Sequence, residues 1–212
     1  MKKILIIVIS CMASMLGLCQ CINENNKVKC DSLSETVVAM NAQPEDLQFC
    51  RVVDFDDEKA TEIMRSLSLE GFVVPLSKKT TCDRSFDSLC AAGVIDGNHY
   101  GLAWDFYSEN DSIRLFLLDK QAYATPLDGS YVSRAAVYED PNGGYDLRLV
   151  FNERGTRLWK NYTEECVGES IAIMLQGKVL SAPRVMMVIR NGFATFATPL
   201  SAEECCAIAA IF

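Results

Sequence analysis

The chain has 212 residues, 50% of them hydrophobic and 23% charged, with a formal charge of −8 at pH 7. That apolar fraction excludes a disordered chain, and the length allows one large domain or two small ones with cores of their own. So acidic a surface disfavours nucleic acid and anionic headgroups and fits peptide or protein partners.

Lys2 and Lys3 precede an apolar run from Ile4 to Leu18, and no acidic residue appears before Glu24. The run is about fifteen residues, short of the roughly 20 that a spanning helix needs. Residues 1–21 therefore read as a signal peptide or lipoprotein signal, removed on export and left out of the fold. Val8-Ile9-Ser10-Cys11 looks like a lipoprotein box, which Cys19 and Cys21 fit less well behind Leu18 and Gln20. Cys11, Cys19 and Cys21 are the candidate lipid-attachment residues; ordinary cleavage after Cys19 is the alternative. The mature chain is expected in the periplasm or outer cell envelope, touching a membrane only through such an anchor.

Residues 22–45 are a polar tether. Residues 46–112 read as a small mixed α+β module. Leu47–Phe55 is a strand, and Asp56 caps a helix to about Leu69, with Ala60, Ile63, Met64 and Leu67 at helical spacing. Phe72–Leu76 is a short strand, and residues 77–96 show no clear period. Tyr100–Tyr107 and Ile113–Leu118 are strands joined by a turn at Ser108-Glu109-Asn110-Asp111.

Further on, Tyr131–Tyr138 and Tyr145–Phe151 are strands about the Asp140-Pro141-Asn142-Gly143-Gly144 turn. Asn152 caps a helix to about Val167, whose Leu158, Trp159, Tyr162 and Cys166 form its buried side. Ile171–Leu175 is an apolar run, followed by a tight turn at Gln176-Gly177 and a return strand Val179–Met187 interrupted at Pro183. Asn191-Gly192 is a hairpin signal before Phe193–Ala197. Ser201-Ala202-Glu203-Glu204 is a capping box opening a last helix. Residues 113–212 thus predict an α+β domain: an antiparallel-rich sheet with two helices on one face, in a ferredoxin-like arrangement.

Past the leader the cysteines are Cys30, Cys50, Cys82, Cys90, Cys166, Cys205 and Cys206, an odd set that cannot pair completely within one chain. Cys82 and Cys90 are the candidate disulfide, while Cys166, Cys205 and Cys206 read as buried thiols. With no C-x-x-C and with His99 the only histidine, neither metal nor other cofactor is expected. A Ser-His-Asp or Cys-His site would have to use His99, which reads as a loop-edge residue. Glu139-Asp140, Glu164-Glu165 and Glu203-Glu204 read as solvated faces, so the chain is not expected to be an enzyme. Asn110-Asp111-Ser112 and Asn161-Tyr162-Thr163 fit a glycosylation pattern, the second of them inside a predicted helix.

Two stretches carry a family likeness. Leu147-Arg148-Leu149-Val150-Phe151-Asn152-Glu153-Arg154-Gly155 runs from an alternating strand into a helix. Val167-Gly168-Glu169-Ser170 then leads through an apolar strand to Gly177-Lys178-Val179-Leu180-Ser181-Ala182-Pro183. Together, over about residues 113–212, they resemble the head of the first periplasmic domain of SecD, the protein-export translocase subunit. Asn152, Gly155, Gly168, Gly177, Lys178, Ser181, Ala182 and Pro183 are the matching motif residues. Each also has a plain conformational use, so the motif reads as a folding signature. Gln176 stands where the family has Asp, and the membrane spans through which SecD couples proton flow to its head have no counterpart here.

The resemblance implies a non-catalytic envelope protein that binds polypeptide, accessory to protein export, with translocase components among its candidate partners. An exposed edge near Pro183 is the expected contact, by strand addition. The alternative is a structural or surface-complex envelope module that reuses the fold without a role in export.

Overall fold

The computed structural model describes residues 27–28, 42–54, 57–122 and 125–212; the leader with Cys11, Cys19 and Cys21, most of the tether with Cys30, and the expected cap Asp56 lie outside the described residues. The first strand, β1 (Leu47–Val52), follows a 3-10 turn at Pro44–Asp46. Asp57, one residue past the expected cap, opens α1 (Glu58–Ser66), its carboxylate accepting the Lys59 and Ala60 N–H groups. Ala60, Ile63 and Met64 form the buried stripe of α1.

β2 (Val73–Pro75) is followed by α2 (Lys79–Ala91), which occupies the stretch that periodicity left unassigned. Thr80, Thr81, Asp83 and Ser85 are weak helix formers, and Cys82 and Phe86 make a narrow buried stripe. β3 (Tyr100–Asp105) and β4 (Ser112–Asp119) are the expected pair. Asn110 and Asp111, at φ 49° and 56°, turn the chain between them.

Next come β5 (Leu127–Asp128), β6 (Val132–Glu139), β7 (Tyr145–Phe151), α3 (Glu153–Glu165), β8 (Ser170–Leu175), β9 (Lys178–Ser181), β10 (Phe193–Thr198) and α4 (Ala202–Ala209). Both later helices start where the sequence places them. Gly155 N–H donates to Asn152 Oδ1 at 2.9 Å, and Ser201 and Glu204 form the reciprocal capping box.

The chain is mixed α+β, but its strands do not share one sheet. β6, β7 and β10 form a three-stranded antiparallel sheet with β7 central. The others form a seven-stranded sheet in which β4 pairs with β3 on one edge and with β2 and β1 on the other. β1 in turn pairs with β8, β8 with β9, and β9 runs parallel to β3. The strands β1, β8, β9, β3 and β4 therefore close into a ring, with β2 and β5 at its side. The seam between β1 and β4 is narrow: Arg51 opposite Asp119 and Val52 opposite Leu118.

Alternation along each strand explains the two-sided burial. Cys50, Ala103, Phe116, Leu118, Ala172, Met174 and Val179, drawn from all five ring strands, form one buried cluster. The residues between them face outward. Leu47, Phe49, Ile171, Ile173 and Leu175 meet Leu147, Phe151, Phe196, Trp159 and Ile208 in the largest core cluster. Leu115 and Leu117 pack against residues of α1 and α2.

Five expectations are corrected. The single ferredoxin-like sheet over 113–212 is divided, because β8 is apolar on both faces and is covered on both, as a ring strand must be. For the same reason the sheet crosses the boundary at 112/113, with β1, β2 and β3 before it and β5, β8 and β9 after it. Asn191-Gly192 makes no hairpin, since β10 pairs with β7 rather than with β9; Gly192, at φ 75°, directs the chain into the other sheet. Cys82 and Cys90 are both free thiols. Eight residues apart on α2, they stand about 12 Å apart along the axis, beyond the reach of a disulfide. Cys206, read as a buried thiol, is instead disulfide-bonded.

Candidate functional site

The motif residues fall in three places. At the start of α3, Asn152 N–H donates to Tyr131 O at 2.8 Å, and Gly155 lies against the same Tyr131. At the β8–β9 turn, Gln176 and Gly177 both take positive φ, 51° and 75°. Lys178 next to them lies over the Phe106 ring, 5.4 Å from its centre. Gly168, Ser181, Ala182 and Pro183 gather at the opposite end of the β8–β9 pair, and this third place is the one with an exposed, unfinished surface.

There the chain leaves β9 and continues beside the start of β8. Ile171 N–H donates to Pro183 O at 3.1 Å, Val185 N–H to Glu169 O at 2.7 Å and Gly168 N–H to Val185 O at 2.8 Å. Gly168 takes φ 91°, which a side chain resists, so glycine is needed to bring this backbone alongside. Val185 turns into the main core at 6% exposure. Residues 184 and 186 alternate with it along the strip. Among the described residues nothing hydrogen-bonds to the backbone N–H of Arg184 or Met186.

The outer side of this strip is apolar. Met186 and Met187 are 59% and 61% exposed, and Val167, next to Gly168, is 50% exposed. Arg184 and Arg190 flank the methionines and are exposed, and neither takes part in an ion pair among the described residues. Glu169, across from the strip, is held by Arg51, with Nε to Oε2 at 2.8 Å.

Thr163 fixes the far end. It is fully buried in α3; its hydroxyl accepts the Ile189 N–H at 2.9 Å and donates to Trp159 O at 3.0 Å. Sequence reasoning saw Thr163 as the end of a glycosylation pattern and missed this role. A threonine between Tyr162 and Glu164 on a helix carries no signal that its hydroxyl holds a distant loop.

His99 lies elsewhere, before β3. Its Nε2 is 3.1 Å from Asp119 Oδ1, and its ring stacks on Tyr100 with centres 4.2 Å apart. Its partners are thus a carboxylate and a phenol ring rather than a thiol or hydroxyl that it would activate. Cys50, whose sulfur bonds Asp119 O at 3.2 Å, has its thiol raised to about 12 by burial and by the Asp119 charge, which keeps it protonated.

A polar contact ties the ring to the three-stranded half. The Tyr107 hydroxyl donates to Glu204 in the capping box of α4. Burial and the Glu204 carboxylate raise the Tyr107 phenol to about 12. Burial opposes ionisation of Glu204, yet the bonds from Tyr107 and Ser201 hold it below the usual carboxylate range. Among the described residues no helix is long and apolar enough to cross a membrane.

Residues 105–212 match the family model described as SecDF, P1 head subdomain. The protein translocase subunit SecD of Acidaminococcus fermentans is 38% identical over 80 residues, which are 38% of this chain and 19% of that protein. SecD of Rhodobacter capsulatus is 35% identical over 88 residues, 42% of this chain and 15% of that protein. The matched stretch is thus less than a fifth of the length of either relative. A solved structure of SecDF, a membrane component that enhances protein export, aligns with 87% of this chain and 70% of its own, at 19% identity and a TM-score of 0.47.

Proposed function

Since the chain belongs to the SecDF P1 head subdomain family through residues 105–212, we propose that it is an exported envelope protein that binds polypeptide without catalysis, as an accessory to protein export. The observation that carries this reading is the strip from Arg184 to Met187. An extended segment laid beside it meets two unpaired backbone donors and two methionines more than half exposed. Main-chain bonding of this kind tolerates many sequences, and unbranched methionines adapt to many side chains. That breadth is what a handler of passing chains requires. Gly168 and Pro183 serve by placing the strip, and its partner is a polypeptide in the periplasm or outer envelope. Anchoring of the mature chain through Cys11, Cys19 or Cys21 belongs to the same proposal.

The test is retention of unfolded secretory precursors by the immobilised mature chain. Several precursors are expected to bind in the unfolded state and to be lost on folding. Exchange of Met186 and Met187 for serine should weaken retention while leaving the circular dichroism spectrum unchanged. No retention of any precursor would end the proposal. Mass spectrometry of the exported chain tests the anchor, by the identity and lipid mass of its first residue.

A further inference from the structure

The charges beside the strip point to which polypeptides it takes. This chain carries eight more acidic than basic charges by formal count, −8 overall, yet the methionine strip is bounded by two arginines. Some cations on this surface find carboxylates, as Arg51 does with Glu169, Lys160 with Glu164 and Arg157 with Glu153. Arg184 and Arg190 do not, among the described residues. Glu169, the carboxylate nearest along the paired backbone, is already taken by Arg51. Two exposed guanidinium groups are therefore left over on either side of Met186 and Met187.

We infer that the Arg184–Arg190 strip selects extended segments whose apolar residues are flanked by aspartate or glutamate. Resting on the polypeptide-binding reading above, this names the chemistry of its substrate. The two arginines stand no more than about 20 Å apart along the chain, so an apolar segment of a few residues sets an acidic flank against each. The methionines take the apolar side chains, Arg184 and Met186 offer backbone donors, and the guanidinium groups give orientation and sequence bias. The overall negative charge of the protein repels acidic segments elsewhere on its surface, which concentrates them at this patch.

The test uses the mature chain and short fluorescent peptides with one apolar core, flanked by acidic residues in one and by lysines in another. A third peptide keeps acidic flanks around a serine-glycine core. Two exposed ion pairs are expected to favour the acid-flanked peptide about three- to tenfold at low salt, fading as salt is raised. In a protein carrying Arg184→Gln and Arg190→Gln the preference for the acid-flanked peptide should be lost or reversed. Exchange of both methionines for serine should weaken both. Both arginines are exposed and form no ion pair among the described residues, so these variants are expected to melt with the parent.

Equal binding of the acid- and lysine-flanked peptides by the parent overturns this inference and leaves polypeptide binding standing. Failure of every apolar peptide to bind overturns both. Tight binding of the serine-glycine peptide, or of phosphatidylglycerol vesicles in competition with the peptides, shows that the arginines serve anions in general and also overturns the inference.

Discussion

Gly155 offers a test in which two ordinary expectations oppose each other. Glycine inside a helix costs about 1 kcal/mol relative to alanine, so Gly155→Ala should stabilise α3 by that amount if the site were open. It is not open. A Cβ there would stand 2.8 Å from both the carbonyl oxygen and the Cβ of Tyr131, and 3.1 Å from the Cβ of Phe151. The Tyr131 carbonyl cannot retreat freely, because it accepts the Asn152 N–H at the helix cap. Overpacking of this kind costs about 1–3 kcal/mol, and a weakened cap bond adds about 1 kcal/mol. After subtraction of the helix-propensity gain, the net loss is about 1–3 kcal/mol. For a chain of this size each kcal/mol moves Tm by roughly 2–4 °C, so a fall of about 3–10 °C is expected. Urea and thermal unfolding followed by the fluorescence of Trp104 and Trp159 would read it. Gly71→Ala, with nothing within 4 Å of its added Cβ, is the control and should stay within about 0.5 kcal/mol. An unchanged or raised midpoint for Gly155→Ala would show that Tyr131 yields and that the close-approach argument is wrong.

Three further outcomes follow from the packing and the titrating groups. Phe116→Ala removes the largest side chain inside the ring and should cost about 3–5 kcal/mol by chemical denaturation; a loss under about 1 kcal/mol would mean that the ring collapses around the gap. Tyr107, raised from 10.0 to about 12, should appear as a late-titrating phenol in ultraviolet absorbance, absent from Tyr107→Phe. Because the raised group is a phenol, its contribution to stability is complete below pH 10.0 and is lost as pH climbs towards 12. At about pH 8, where free thiols react readily, the buried Cys50 and Cys205, both raised mainly by burial, should resist iodoacetamide until unfolding. Alkylation of Cys206 should require a reductant as well, since it is disulfide-bonded.

Local signals carried most of the element list. The Asn152 cap, the Ser201–Glu204 box, the Gln176-Gly177 turn and the alternating Tyr145–Phe151 strand rest on neighbours close in sequence, and each stands where it was read. Two things escaped. Helix α2 hides because its polar residues prefer other conformations in isolation, and the packing of Cys82 and Phe86 overrides them. The division of strands between two sheets hides because pairing partners are far apart in sequence. The unbroken apolar run of β8 was the one clue, since a strand with water on one face would alternate. Of the binding strip, Pro183 was legible as a place where ladder pairing stops. The exposure of Met186 and Met187 was not, because they read as the end of the return strand Val179–Met187 until Thr163 and Gly168 are seen to hold the segment beside them.

The ring of strands also governs how this protein must be made. Residues 47–52 complete their hydrogen bonding with residues 170–175 and 118–119, so the first strand leaves the ribosome long before its partners exist. Such distant pairing makes folding slow and leaves an apolar edge open to aggregation meanwhile. A fragment cut to the family-matched residues would lack β1 and nearly all of β3, leaving a gap where both belong. Expression of either half separately is therefore expected to give insoluble material, and soluble co-production of the two halves would restore a native-like product by complementation.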